Sequence, residues 1–169
     1  MKIEQPHILM RKFANFIVVA CFFLMLLGAC VKQSEDKRPN KLIISHQLRE
    51  KIYLTKNIKP GDKVSFHWEH SFEHIPWNEY YVVEQDNRFR LDSIAVAGFG
   101  AGIPAEMDCT YRYANGMVYM ENIKGSYFAE FNWINSQTQL KGIYLNDELI
   151  VTGADLPEHE KIKLEIRCE

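Results

Sequence analysis

After residue 41 the chain alternates apolar and polar residues with a period of two. The sharpest case is Val64, Phe66 and Trp68 set against Ser65, His67 and Glu69. That period predicts a strand with one buried face, and continuing it puts His70 on the apolar face at the strand's end. After a loop over residues 71–76, Trp77, Glu79, Tyr81 and Val83 share the next face. Pairing the two strands antiparallel with His70 opposite Trp77 sets Trp68 against Glu79, Phe66 against Tyr81 and Val64 against Val83. Apolar then meets apolar along the ladder, which is what fixes register. Two ionisable side chains, His70 and Glu79, are left on the inward face as direct or diagonal neighbours.

The remaining segments follow the same grammar. Leu42-Ile43-Ile44 and Lys51-Ile52-Tyr53-Leu54 read as short strands, and Pro60-Gly61-Asp62 as a type II turn before the Val64 strand. Gln85-Asp86-Asn87 predicts a three-residue hairpin loop with Asn87 at positive φ, pairing Val83 with Phe89, Tyr81 with Leu91 and Glu79 with Ser93. Asn115-Gly116 is the strongest turn signal, a two-residue hairpin joining residues 111–114 to 117–120. Tyr127, Ala129, Phe131 and Trp133 form one more alternating face. Asn146-Asp147 joins residues 143–145 to 149–151, and Ile162, Leu164, Ile166 and Cys168 oppose Lys161, Lys163, Glu165 and Arg167. No window after Cys30 sustains a helical period. The prediction is an all-β domain over residues 42–169, an antiparallel β-sandwich or flattened barrel of about nine or ten short strands.

The first thirty residues belong to something else. Lys2, Arg11 and Lys12 make a basic start, residues 13–27 an apolar helical run, and Leu27-Gly28-Ala29-Cys30 matches the lipobox of bacterial lipoproteins. On that reading residues 1–29 are a signal peptide, Cys30 carries the lipid, and polar residues 30–41 are a tether. The alternative is an uncleaved membrane anchor, for which about 17 apolar residues is the short limit. The predicted localisation is the cell envelope, with the domain held to a membrane on its extracytoplasmic side.

Composition then narrows the partners. The 169-residue chain is 47% apolar and 12% aromatic, enough for a core. Removing the leader leaves 17 basic and 21 acidic residues, a net charge near −4, without a basic stripe, so nucleic acid is not an expected partner. Of the four cysteines, Cys21 lies in the leader and Cys30 takes the lipid. That leaves Cys109 and Cys168 as the candidate disulfide of an oxidising compartment, with two free thiols as the alternative.

Candidate chemistry gathers in His70-Ser71-Phe72-Glu73-His74-Ile75-Pro76-Trp77-Asn78-Glu79. His70-Ser71-Phe72-Glu73-His74 spells H-x-x-E-H, but that metalloprotease chemistry needs both histidines on one helix face, and here a strand precedes and Pro76 follows. Glu73 with Glu79 is formally a glycosidase carboxylate pair, a pattern common in any chain. Gly98-Phe99-Gly100-Ala101-Gly102-Ile103-Pro104 lacks the helix and lysine of a phosphate loop; its glycines suit a sharp turn or close backbone approach beneath the His70 loop. Trp68, Trp77 and Trp133 sit at core parity, Trp77 alone being next to a loop. None of these patterns asks for a metal or an organic cofactor.

His-Ser-Phe-Glu at 70–73, Pro76, Glu79 and Gly100-Ala101-Gly102-Ile103-Pro104 resemble the signature of an uncharacterised bacterial family, number 1850 among the domains of unknown function. The resemblance covers roughly residues 42–167. Phe72 stands where the family usually has Val, and His74 has no counterpart. The resemblance implies a small exported β domain, often associated with membrane subunits of tripartite (TRAP) transporters of the TAXI type. Its implied partner is such a subunit. The inward-facing His70 and Glu79 read equally as a structural pair pinning the hairpin loop or as the floor of a pocket for a small polar ligand, with His70, Ser71, Glu73, Trp77, Glu79, Gly100 and Gly102 as the candidate binding residues. The competing readings are a small hydrolase using His70 with Glu73 or Glu79, and a structural envelope lipoprotein.

Overall fold

A computed structural model of the chain describes residues 40–98 and 107–168. Alternation of apolar residues drives twelve antiparallel strands, with one 3-10 turn at Gly153–Asp155 as the only helical element among the described residues. They form two open sheets. The smaller has the order β2 (Ile52–Ile58), β1 (Asn40–His46), β12 (Lys161–Arg167), β9 (Glu130–Ile134). The larger runs β11 (Glu148–Val151), β10 (Leu140–Leu145), β3 (Lys63–Glu69), β4 (Pro76–Val83), β5 (Phe89–Val96), β7 (Met117–Glu121), β6 (Thr110–Ala114), and short β8 (Tyr127–Phe128) also pairs with β5. Neither sheet closes on itself, so the sandwich, not the flattened barrel, describes the domain. β1 begins at Asn40, inside the stretch expected to be tether.

The two sheets meet through aromatic rings. Phe66 on β3 lies 4.9 Å from Phe131 on β9, ring centre to ring centre, with Trp68, Tyr81 and Trp133 also about it. Around this cluster Leu42, Ile44, Val64, Phe89, Ile143, Ile162 and Leu164 are buried. Such offset and edge-to-face contacts add to the burial that holds a sandwich together.

The turns follow their residues. Asn115 (φ 53°) and Gly116 (φ 74°) make the two-residue hairpin between β6 and β7, with Ala114 paired to Met117. Asn146 (φ 50°) and Asp147 (φ 67°) do the same between β10 and β11, and Gly61 and Asn87 take the positive φ that their turns require.

Four expectations are corrected. Trp68 pairs with Trp77, Phe66 with Glu79 and Val64 with Tyr81, so the β3–β4 register is displaced by two residues from the one predicted. The cause is a tighter loop: His74 adopts φ 55°, its N–H donates to the His70 carbonyl, and the His70 N–H donates to the Ile75 carbonyl. A displacement of two keeps every side chain on its predicted face. In the β4–β5 pair, Val83–Phe89 and Tyr81–Leu91 hold, but a bulge follows and Glu79 faces Ile94, Tyr80 facing Ser93. The extra residue, Asp92, lets Phe89, Leu91, Ile94 and Val96 all be buried despite the broken period. The single strand expected over residues 127–133 is two, because the chain crosses between the sheets at Ala129, leaving Tyr127 exposed and sending Phe131 inward. Cys109 and Cys168 are both free thiols. Cys168 follows β12 and receives the Asn87 side-chain amide at 3.2 Å, while Cys109 meets the Tyr111 phenol beside β6, so each sits in its own polar setting.

Candidate functional site

The site grows from the inner face of β4. There Trp77, Glu79 and Tyr81 follow one another at strand spacing, so one carboxylate lies between two aromatic hydrogen-bond donors. Trp77 Nε1 donates to Glu79 Oε1 at 3.0 Å and the Tyr81 hydroxyl to Oε2 at 3.1 Å. Burial raises the Glu79 pKa above the ordinary carboxylate range, and these two donors only partly offset it. Burial and the neighbouring Glu79 carboxylate push the Tyr81 phenol far above its usual value, so it remains a donor.

His70 stands beyond Trp77. Its ring stacks on the indole at 5.7 Å with 15° between planes, and its Nδ1 accepts the backbone N–H of Glu73 at 3.2 Å. Trp77 thus lies between the histidine and the carboxylate, contacting both. This separation follows from the shorter loop, which carries His70 past the end of β3 and sets Glu79 opposite Phe66. The predicted shared inward face is therefore found, and the predicted direct pairing of His70 with Glu79 is replaced by a link through an indole.

Trp68, Glu69, His70, Ser71, Trp77, Glu79 and Gln139 line an open cleft of about 310 Å³. Glu69 is already neutralised: Lys141 reaches one oxygen at 2.9 Å and His74 the other at 3.2 Å, and these partners lower its pKa. Trp68 stacks on Phe66 and meets Trp133 edge-on, so the floor of the cleft continues into the core. Phe72, 80% exposed, caps the loop.

Of the predicted residues, His70, Ser71, Trp77 and Glu79 come together in the cleft. Glu73 contributes its backbone N–H to His70. Gly100 and Gly102 lie outside the described residues, although the run begins where expected: Ala97 N–H donates to the Pro76 carbonyl, and Gly98 sits against Ile75. Trp68, Glu69 and Gln139 were not among the predicted residues. Trp68 was legible from parity and read as core; Glu69 and Gln139 arrive through the β3–β10 pairing, which no local pattern announces. Among the described residues no three His, Cys, Asp or Glu side chains gather closely enough to hold a metal ion.

These features define an antiparallel β-sandwich domain with an aromatic and carboxylate cleft at one end. The chain belongs to the family described as Domain of unknown function (DUF1850), whose model matches residues 64–151, from β3 through β11 and across the whole cleft. The match is narrower than the resemblance expected over residues 42–167, leaving β1, β2 and β12 outside it. No curated protein and no solved structure matches the chain.

Proposed function

We propose that the chain is a lipid-anchored accessory module that captures a small polar ligand in the His70–Trp77–Glu79 cleft and serves a TRAP-type membrane transporter. One observation carries the capture reading: a half-buried carboxylate with a raised pKa opens into a solvent-accessible cleft instead of being sealed in the core. A purely structural role does not call for an opening there. Hydrolysis is less well served, because Trp77 separates His70 from Glu79 and both Glu79 oxygens already accept hydrogen bonds.

The fold supports the anchoring half of the reading. Asn40, where the described domain starts, lies beside Asn87 at the end opposite the cleft. A lipid on Cys30 would therefore hold the domain by its far end and leave the cleft unobstructed. Mass spectrometry of the protein extracted from membranes is expected to show an acylated Cys30 as first residue, and Cys30→Ala to release the chain from the membrane. A pull-down of the intact protein is expected to bring down a transporter membrane subunit. A Cys30→Ala chain still cut after Ala29 and still on the membrane overturns the anchor. Recovery of the acylated protein alone overturns the partnership.

A further inference from the structure

We propose that the ligand of this cleft is an organic cation, an ammonium or guanidinium, with Glu79 as its counter-ion and Trp68 and Trp77 as its aromatic walls. The inference rests on the capture reading above and narrows it to a chemical class.

It is carried by a mismatch between Glu79 and its surroundings. The carboxylate sits on the inner face of β4, opposite Phe66 on one side and Ile94 on the other. Its two donors, Trp77 and Tyr81, are neutral, and among the described residues no cationic side chain pairs with it. The segment that follows Gly98, residues 99–106, contains no Lys, Arg or His, so it has no cation to supply. Neutral donors lessen the cost of a buried charge without cancelling it. A cation from solution does cancel it, and the cleft gives such a cation a route to Glu79.

The walls select further. Indole faces attract a desolvated ammonium or guanidinium, with Trp the most effective of the aromatic residues. An anion would meet the Glu79 carboxylate, and the cations nearest the cleft, Lys141 and His74, are already engaged by Glu69. A neutral sugar would offer only more neutral donors to oxygens that already hold two. At about 310 Å³ the cleft suits a small cation or the head of a longer one.

The ionisable groups around the cleft set the sign of its pH dependence. Glu69 is held ionised by Lys141 and His74, Tyr81 stays protonated, and His70 borders Trp77. The facing side chains of β3 and β9, namely Phe66, Trp68, Phe131 and Trp133, and Gln139 at the cleft wall, do not titrate. The cation needs Glu79 ionised, so binding strengthens as pH rises.

The chain's three tryptophans, Trp68, Trp77 and Trp133, are all at this end, so its own fluorescence reports on the cleft. The experiment titrates the full-length protein in a non-ionic detergent with choline and agmatine. Malate, glucose and sodium chloride at matched ionic strength serve as comparisons. The expected result is a saturable change in emission with choline or agmatine and none with the comparisons. Affinity should fall at least about tenfold in Glu79→Gln and rise as pH is raised above the ordinary carboxylate range. Far-UV circular dichroism checks that the variant is folded. A saturable response to malate or glucose but not to the cations overturns the cation assignment and leaves capture standing. A response to cations that Glu79→Gln does not weaken overturns the role of Glu79 and with it the proposal. Silence towards every probe overturns the cation assignment and counts against capture as well.

Discussion

A carboxylate placed between an indole N–H and a phenol O–H on the inner face of a sheet carries a desolvation cost that packing alone does not require. Burial raises the pKa of Glu79, so the folded protein keeps a proton that the unfolded chain has already released. Its contribution to stability is therefore fully present below the ordinary carboxylate range and is lost as pH rises through the folded pKa. Gln cannot ionise and retains an oxygen for Trp77 Nε1 or the Tyr81 hydroxyl. Glu79→Gln is expected to melt close to the native protein in acid and at or above it near neutral pH, the gap widening with pH. Thermal melts across the titration check this. A variant clearly less stable than the native protein at neutral pH would show the carboxylate to be a structural member, contributing hydrogen bonds that the amide cannot replace.

At the level of elements, the decisive device is the loop over residues 70–75. His74 in the left-handed region lets the chain reverse in fewer residues than the sequence pattern suggests, and this moved the β3–β4 register by two. Its side chain contributes only a solvent-exposed pair with Glu69, which water and salt screen. The backbone conformation matters more, because a β-branched residue at positive φ is heavily strained. His74→Gly is expected to fold within about 1 kcal/mol of the native protein, and His74→Val to be less stable than His74→Gly by ~2 kcal/mol. Denaturant melts of the two variants decide it; a His74→Val protein as stable as His74→Gly would mean the loop closes differently. The same loop shows what was readable from sequence. Parity survived the register change, so Trp68, Trp77, Glu79 and Tyr81 were placed on the correct face. Asn115-Gly116 and Asn146-Asp147 were legible because a two-residue hairpin demands those residue types. The bulge at Asp92 and the sheet crossing at Ala129 were not, since each breaks the period for a reason that lies in a neighbouring strand. The free thiols Cys109 and Cys168 belong to the same class of miss: counting cysteines cannot tell where the strands will leave them.

For the whole molecule, the separation between the two ends of the sandwich is what gives the cleft its setting. Strands of seven or eight residues, at about 3.3 Å each, put roughly 25 Å between the Asn40 end and the cleft. Under the proposed anchoring, residues 30–39 add at most ~35 Å of extended chain between lipid and domain. The cleft would then work at a distance from the lipid surface, where it can meet ligand from solution and still be drawn back to a membrane partner. The expected tether also carries Lys32 and Lys37, whereas Pro39 protects the bond after Arg38. Brief trypsin treatment of membranes carrying the intact protein is expected to cut after Lys32 or Lys37, because a polar linker is far more accessible than a hydrogen-bonded strand. The product should be a soluble fragment starting at Gln33 or Arg38, with the β-rich circular dichroism and fluorescence of the full chain. N-terminal sequencing and sedimentation of the membranes read the outcome. A cut fragment that still sediments would show that the domain holds the membrane or a partner by its own surface. Cleavage within the strands ahead of residues 31–39 would instead sink the division into tether and domain.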